Sequence, residues 1–316
     1  MTFWLRALSR LRETAAGGWT GIPESSKELL NSLVSGESYT AELGRVLIAS
    51  QMYFLFTSDE QWTTETVFPL FYFSKDSKRA IQAWDGYLVW GRWTERMLPH
   101  LMPAFLEAFP RLQFDFEQEQ RNRFCGYLAG IACSSAINPL ENGWLNRFLV
   151  STSLAERTSW AFAMLSVLKG MKEAATENAW TTWIRTYWER RIEGIPVPLD
   201  KDEMASMIQW AVCFKASFPE VTAKIYASPV PHLEHSFLHD ELSKSGTLTQ
   251  HPEAISKFAL FLLKNGLAPA YYPEPILNIV EQLKNVPAAK ENLLSICDEL
   301  AALGYPGARA LRDSIP

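Results

Sequence analysis

The chain has 316 residues, of which 47% are hydrophobic and 21% are charged. This composition excludes a disordered chain, and the length predicts either two domains or one long repetitive array. A formal net charge of −5 disfavours a duplex-binding protein, and no run approaches the 18 apolar residues needed to span a bilayer.

The chain begins with a short basic segment, MTFWLRALSRLRE, that is amphipathic when drawn as a helix. It lacks the long apolar centre of a secretory signal. Two interpretations remain open. The segment is either a membrane-surface helix, or a helix whose Phe3, Trp4, Leu8 and Leu11 face a neighbouring helix. We favour the second interpretation.

A helical period continues through the aromatic-rich first half, for example in ELGRVLIASQMYFLF and SKRAIQAWDGYLVWG. Ser58 is predicted to cap the helix that follows the first of these segments. The best strand candidate, VFPLFYF, contains a proline, which disfavours a strand. We therefore predict an all-α protein without a substantial sheet.

The segment YWERRIEGIPVPLDKDEM carries the clearest helix stop and start signals in the chain. Gly194 is predicted to end a helix in the left-handed conformation, and two prolines then hold the backbone extended. Asp200 is a predicted N-cap, with Glu203 at the position that completes a capping box. We place a boundary here, between an aromatic-rich helical array of residues 1–198 and a second array of residues 199–316, continuous with the first.

A Pro-Glu pair recurs at predicted helix starts in the second half. Proline suits the first turn because its missing N–H would lack a partner there, and glutamate suits the positive end of the helix dipole. Apolar stripes follow each pair, as in Ile255, Phe258 and Leu262. Stacked helical hairpins would explain this pattern, so we predict an irregular solenoid of the HEAT or TPR kind. The three starts are Phe218-Pro219-Glu220, His251-Pro252-Glu253 and Tyr272-Pro273-Glu274.

Arginines and aromatic residues alternate in the helix before Gly194. The spacing of Trp180, Trp183 and Tyr187 predicts that these three face the core. The remaining members are predicted to point elsewhere and to form an interface with another protein, or a stacking surface for single-stranded nucleic acid. A solvated face on which Glu189 and Glu193 pair with the arginines is the third alternative. The candidate interface residues are Trp188, Arg185, Arg190 and Arg191.

Three histidines, His232, His235 and His239, follow i, i+3, i+7 spacing. Zinc accepts histidine nitrogens, but the outer two would lie about 10 Å apart along one helix. We therefore predict no metal site, and the chain has no nucleophile elbow and no phosphate-binding glycine motif. The four cysteines form no C-x-x-C pair and predict a cytoplasmic protein without disulfides. We predict no cofactor and assign no catalytic residue.

The stretch from WIRTYWERR to PEAISKFALFLLKN resembles a helical domain of unknown function that is found behind sirtuin-like domains in large bacterial proteins. GRVLIASQMYFLFTSDEQW resembles the helical region that precedes that domain. The resemblance implies a role in anti-phage defence, beside a sirtuin-like partner that hydrolyses NAD. The matching residues are Trp188, Arg191, Gly194, Pro196, Glu203, Trp210, Phe218, Pro219, His235, Pro252, Glu253 and Ala254.

From these observations we expect a non-enzymatic scaffold, regulatory or sensor module that binds a sirtuin-like effector or a second copy of itself. No membrane partner is expected. Two alternatives stay open. One is a nucleic-acid sensor, and the other is a metal-dependent hydrolase that uses the three histidines.

Overall fold

A computed structural model describes residues 2–15, 18–231, 238–266 and 273–316, with side chains from Leu5 onward. All regular secondary structure in these residues is helical, which confirms the all-α prediction. The chain folds into two compact units. The first comprises Met1–Ile137 and Asn142–Glu156, and the second comprises Asn138–Glu141 and Arg157–Pro316.

The first unit is built from short and medium helices. They are α1 (Thr2–Thr14), α2 (Glu24–Ser35), α3 (Tyr39–Ser50), α4 (Met52–Ser58), α5 (Glu60–Thr66), α6 (Ser77–Trp90), α7 (Leu98–Ala108), α8 (Leu112–Asp115), α9 (Gln118–Ser134) and α10 (Trp144–Ser151), with 3₁₀ turns at Phe68–Phe71 and Phe109–Arg111. The segment VFPLFYF, whose proline disfavoured a strand, thus contains a 3₁₀ turn.

Aromatic residues fill the core of the first unit. The Trp84 ring lies 4.9 Å from Phe105 and 5.1 Å from Phe71, centroid to centroid, and its indole N–H donates to the Phe71 carbonyl. Helices α3 and α6 approach closely because Gly86 has no side chain. A Cβ at this position would lie 2.7 Å from the Val46 carbonyl carbon. Exchanging this glycine for any other residue would push the two helices apart.

A buried cation caps a helix in the first unit. The Arg45 guanidinium donates to the carbonyls of Leu33, Val34 and Gly36 at the C-terminal end of α2, and to the Gln82 side chain. The last carbonyls of a helix lack backbone donors and carry partial negative charge, so a buried guanidinium is stable there.

Helix α11 (Leu154–Gly170) contains the division between the units, at Glu156 and Arg157. The second unit continues with α12 (Glu173–Ala179), a π-helical turn at Trp180–Ile184, α13 (Arg185–Ile192), α14 (Lys201–Met207), a 3₁₀ segment at Ile208–Cys213, α15 (Phe218–Tyr226), α16 (Leu238–Lys244), α17 (Pro252–Lys264), α18 (Glu274–Leu283), a 3₁₀ turn at Pro287–Ala289, α19 (Lys290–Ala302) and α20 (Ala308–Asp313).

Four fully buried tryptophans stand in the core of the second unit: Trp160, Trp180, Trp188 and Trp210. The Trp188 and Trp210 rings meet edge to face, with their centroids 5.6 Å apart. The Trp210 indole N–H donates to the Ala161 carbonyl, and that of Trp188 donates to the Ser228 hydroxyl. A buried indole N–H without a hydrogen-bond acceptor would lower the stability of the fold, so these hydrogen bonds fix the orientation of the rings.

Polar contacts between helices recur at a similar separation along the chain in each unit. In the first unit, Arg45 and Gln82 are 37 residues apart, and Gln120 and Asp85 are 35 apart. In the second unit the separations are 35 residues for Lys224–Glu189, 36 for Asn292–Ser256 and 39 for Gln282–Ser243. The contacting helices are three positions apart in the chain in the first unit and two positions apart in the second.

Several local predictions are confirmed. Gly194, Gly266 and Gly304 follow helix ends with φ between 81° and 94°. Pro219 and Pro252 lie in the first turns of α15 and α17. The apolar stripes predicted after the Pro-Glu pairs are buried: Ile255, Phe258, Ala259, Leu262 and Leu263 in α17, and Ile276, Val280 and Leu283 in α18. Leu293, Cys297 and Leu300 form a buried stripe of the same kind in α19.

Other local predictions are wrong. Asp59, and not Ser58, caps α5, by accepting from the Trp62 backbone N–H. Asp200 caps α14 as predicted, but Glu203 pairs with Arg191 across the chain turn and completes no capping box. Leu8 is buried as predicted, whereas Leu11 is half exposed.

The predicted boundary at 198/199 falls inside the second unit, and the compact units divide at 156/157 instead. Arg191 and Glu203, on the two sides of the predicted boundary, are joined by a buried ion pair. The proline segment between them is therefore held within one core.

Candidate functional site

The structure divides the four predicted interface residues into two pairs. Trp188 and Arg191 are buried in the core of the second unit, so the prediction that they face a partner is wrong. Arg185 is partly exposed, with Nη1 3.4 Å from a carboxylate oxygen of Glu220. Arg190 is exposed. Only Arg185 and Arg190 therefore remain available to a partner.

The buried stripe of this segment is wider than predicted. Its members are Trp180, Trp183, Ile184, Tyr187, Trp188 and Arg191. From Trp180 the positions i+8 and i+11 belong to the same helical face as i+3 and i+7, and this spacing was the signal that could have identified Trp188 and Arg191. The π-helical turn, in which the Arg185 N–H donates to the Trp180 carbonyl, is not visible in the spacing.

Arg191 is the centre of a buried polar network. Its guanidinium pairs with both carboxylate oxygens of Glu203, at 2.6 Å for Nη2 to Oε2, and donates to the Tyr187 hydroxyl at 2.9 Å. It also donates to the carbonyls of Val197 and Pro198, at 3.1 and 3.2 Å. One side chain thus ties the end of α13, the proline segment and α14 together.

A second arginine approaches the same carboxylate, with the Arg157 Nε 3.6 Å from Glu203 Oε2. Burial, and next the negative charge of Glu203, raise the pKa of the Tyr187 hydroxyl, so this group stays protonated and can donate. Every charge in this network faces a partner inside the core. We therefore assign the network to the fold and not to a reaction.

The three-histidine hypothesis lies mostly outside the described residues, because His232 and His235 fall in a segment that the structure does not describe. His239 is described and is buried at the start of α16. Within the described ranges, no cluster of three or more His, Cys, Asp or Glu side chains could hold a metal ion.

The cysteines are poor nucleophiles in this fold. Burial raises the pKa of Cys133 and Cys213 to about 12 and that of Cys297 to about 11. Burial, and next the charge of Glu156, raise the pKa of Cys125 as well. Because the thiolate is the reactive form, these thiols would react slowly at neutral pH.

Two open grooves in the described part of the second unit have different chemistry. One, of about 480 Å³, lies between α15 and the start of α17, and we call it the α15–α17 groove. The other, of about 530 Å³, carries three lysines that are already in ion pairs. These pairs are Lys169–Glu241, Lys215–Glu173 and Lys244–Asp240. Its charge is balanced internally, so it offers little to a charged ligand.

Two of the repeated helix starts meet in the α15–α17 groove. Pro219 comes from the first, and His251, Pro252 and Glu253 come from the second. The Lys257 ammonium lies 5.3 Å from the centroid of the Tyr226 ring, and burial raises the pKa of the Tyr226 hydroxyl to about 12. The groove therefore combines prolines, an aromatic ring and one exposed cation, which is the chemistry of a peptide-binding surface.

A family model for a domain of unknown function (DUF4020) matches residues 133–300, a little over half of the chain. The chain belongs to this family, whose function its description leaves open. No curated protein and no solved structure matches the chain.

Most residues that carried the sequence resemblance are now placed by the structure. Trp188, Arg191, Glu203, Trp210 and Phe218 are buried. Pro219, Pro252, Glu253 and Ala254 line the α15–α17 groove. The resemblance therefore includes core residues that fix the fold, together with the wall of one groove. Among the described residues, no helix has the length and apolar character needed to cross a membrane.

Proposed function

We propose that this chain is a non-enzymatic helical scaffold that serves as a regulatory or sensor module by binding another protein. The observation that carries the proposal is the recurrence, in each unit, of contacts between helices at separations of 35 to 39 residues along the chain. Helix pairs stacked in this manner present extended surfaces and open grooves between successive elements. Such surfaces suit a long partner segment better than a small substrate.

The α15–α17 groove is the binding site that we propose for the second unit. Its prolines and Tyr226 offer apolar contact, and the exposed Lys257 and half-buried His251 can donate to a carboxylate or a backbone carbonyl. A peptide segment with small apolar residues and one acidic residue fits these groups.

We further propose that the partner is a sirtuin-like, NAD-hydrolysing domain or subunit, and that the pair acts in bacterial anti-phage defence. This part rests on the sequence resemblance. The family match agrees with the coarser part of that resemblance, a domain of unknown function. The helical fold supplies the surface, and the chemistry would belong to the partner.

The experiment is to sequence the native locus and to co-express the chain with a sirtuin-like protein or domain encoded beside it; a locus that encodes none would contradict this part of the proposal. We expect the two to co-elute at a mass above that of the monomer, and cellular NAD to fall after phage infection only when both are present. Lys257→Glu should weaken co-elution, whereas Lys201→Glu, the same charge change at an exposed site on α14, should not. A monomer that recovers no partner, with NAD loss independent of the chain, would contradict the proposal.

One surface in the first unit favours nucleic acid as a second candidate ligand. Trp90 is 71% exposed, and the exposed Arg92 follows it without an ion pair to any residue that the structure describes. Bases stack on exposed aromatic rings, and arginine adds attraction to phosphate. Anisotropy of a fluorescent oligothymidine, measured over a salt series with wild type and a Trp90→Ala, Arg92→Ala double variant, tests this candidate. Equal binding by both proteins would remove it.

A further inference from the structure

The outer face of α3 is apolar where a surface helix is normally polar. Tyr39, Leu43 and Leu47 are 74%, 48% and 43% exposed, and they follow i, i+4, i+8 spacing. Arg45 and Ile48, on the opposite face, are buried. The three exposed residues form a stripe about 12 Å long at the rise of an α-helix. We call it the α3 stripe.

The α3 stripe continues into a groove between helices. Leu47 lines a cavity of about 290 Å³, whose other wall is α1 and whose floor includes α4. Leu5 and Phe54 provide the other apolar surfaces, and Gln51 and Arg6 provide the polar ones. A hydrophobic groove bounded by helices, with an apolar stripe that leads into it, has the geometry that accepts an amphipathic helix.

The charge along this groove is positive. Arg6 lines it, and Arg10 lies one turn further along the same face of α1. Both are exposed, and neither forms an ion pair with any residue in the described ranges. Unpaired arginines beside an apolar groove favour an occupant with carboxylates at its edge, because complementary charge guides docking and disfavours basic competitors.

We propose that the α3 stripe and its groove bind an amphipathic helix of another protein, with apolar residues at i, i+4 and i+8 and acidic residues on the flank next to α1. The proposal rests on the interaction role proposed above and names the chemistry of one partner segment. An anionic membrane is a poorer occupant. The surface is a concave groove between helices, which a flat bilayer surface does not fill.

The test uses the full chain and a synthetic probe. The probe is a fluorescent peptide of Leu, Ala and Glu whose leucines follow i, i+4, i+8 spacing. Two matched peptides serve as controls: one has Lys in place of every Glu, and the other has the same composition in scrambled order. By anisotropy, we expect the acidic peptide to bind about tenfold more tightly than either control, and its affinity to fall as salt is added.

Variants then locate the site. A Leu43→Glu, Leu47→Glu double variant should lower the affinity for the acidic peptide by about tenfold or more. Arg6→Glu with Arg10→Glu should lower it similarly and favour the Lys peptide. Leu303→Glu, an equal change at a half-exposed leucine of the second unit, should leave it unchanged. All the substituted leucines are exposed, and unchanged thermal unfolding curves verify that each variant folds.

Equal binding of the acidic and basic peptides, or of wild type and the Leu43/Leu47 variant, would overturn the proposal. So would binding to vesicles of anionic lipid that the acidic peptide fails to displace. Its failure is distinguishable from failure of the proposed function. If the chain still co-elutes with its sirtuin-like neighbour while the peptide does not bind, the scaffold role stands and this surface is wrong.

Discussion

Replacing Arg191 by methionine should destabilise the protein more than any surface substitution, because it removes the main ion-pair partner of a buried carboxylate. The side chains of Arg191 and Glu203 are both fully buried. After the substitution, Glu203 retains Arg157 at 3.6 Å and the Tyr187 hydroxyl at 3.4 Å. Breaking a buried ion pair by removing one partner costs about 3–5 kcal/mol. Because these two neighbours remain, we expect the free energy of unfolding to fall by about 3 kcal/mol, the lower end of that range.

The assay is urea unfolding followed by far-ultraviolet circular dichroism and by tryptophan fluorescence. Arg190→Met is the control, since Arg190 is the next residue and is exposed, and it should change the free energy of unfolding by less than about 0.5 kcal/mol. Adding Glu203→Gln to Arg191→Met removes the unpaired charge and keeps an acceptor for Arg157. We expect this double variant to recover at least about 1 kcal/mol. A loss below about 1 kcal/mol for Arg191→Met, or no recovery, would refute this account of the network.

Three further predictions concern glycines, a carboxylate and the thiols. Gly86→Ala should cost about 1–3 kcal/mol of unfolding free energy because its Cβ would meet Val46, whereas Gly126→Ala, which meets nothing within 4 Å, should be neutral or stabilising by up to about 1 kcal/mol; equal urea midpoints would contradict this. Burial raises the pKa of Asp59, but hydrogen bonds from the Trp62 and Ile22 N–H groups and the Lys27 ammonium outweigh it, and the net pKa is lowered. The stability that Asp59 contributes is therefore complete above its unfolded pKa of about 3.9 and is lost as the pH falls through its folded pKa. Asp59→Asn should therefore make the free energy of unfolding less dependent on pH between about pH 5 and 2. The four cysteines should react with a disulfide reagent at pH 8 far more slowly in native protein than in urea, and a thiol that reacts equally fast in both would contradict the effect of burial on their pKa.

The sequence predicts helices well where one face alone is apolar. In α17 and α18 the apolar residues fall on a single 3.6-residue stripe, and the predicted positions are buried. The signals that end a helix are equally local. Gly194 takes φ of +82° because the helix end requires a left-handed residue, and this depends on no distant neighbour. Such features follow from short-range physics, so the sequence is sufficient for them.

The candidate interface was predictable only in part, because burial of a charged residue depends on its distant partner. Arginine is seldom fully buried, and Arg191 lies outside the three-residue stripe that was predicted to face the core. Glu203, twelve residues later, supplies a charge that makes burial possible. Nothing local to α13 indicates that the chain turns back at the two prolines to bring this carboxylate against it. A buried charge pair that spans a turn of this length can therefore be identified only from the tertiary structure.

The α3 stripe shows why a binding surface of this kind is invisible in a sequence. Helix α3 is apolar on both faces, a pattern that normally indicates a helix buried all round. Only the positions of α2 and α6 decide which face is covered. Leu33 packs where Gly44 leaves room, and Gly86 brings α6 against Val46. With those sides occupied, the apolar residues that remain are Tyr39, Leu43 and Leu47. Because the same helix already has a complete core face, these three side chains keep between 43% and 74% of their surface exposed, and that surface remains available to a partner.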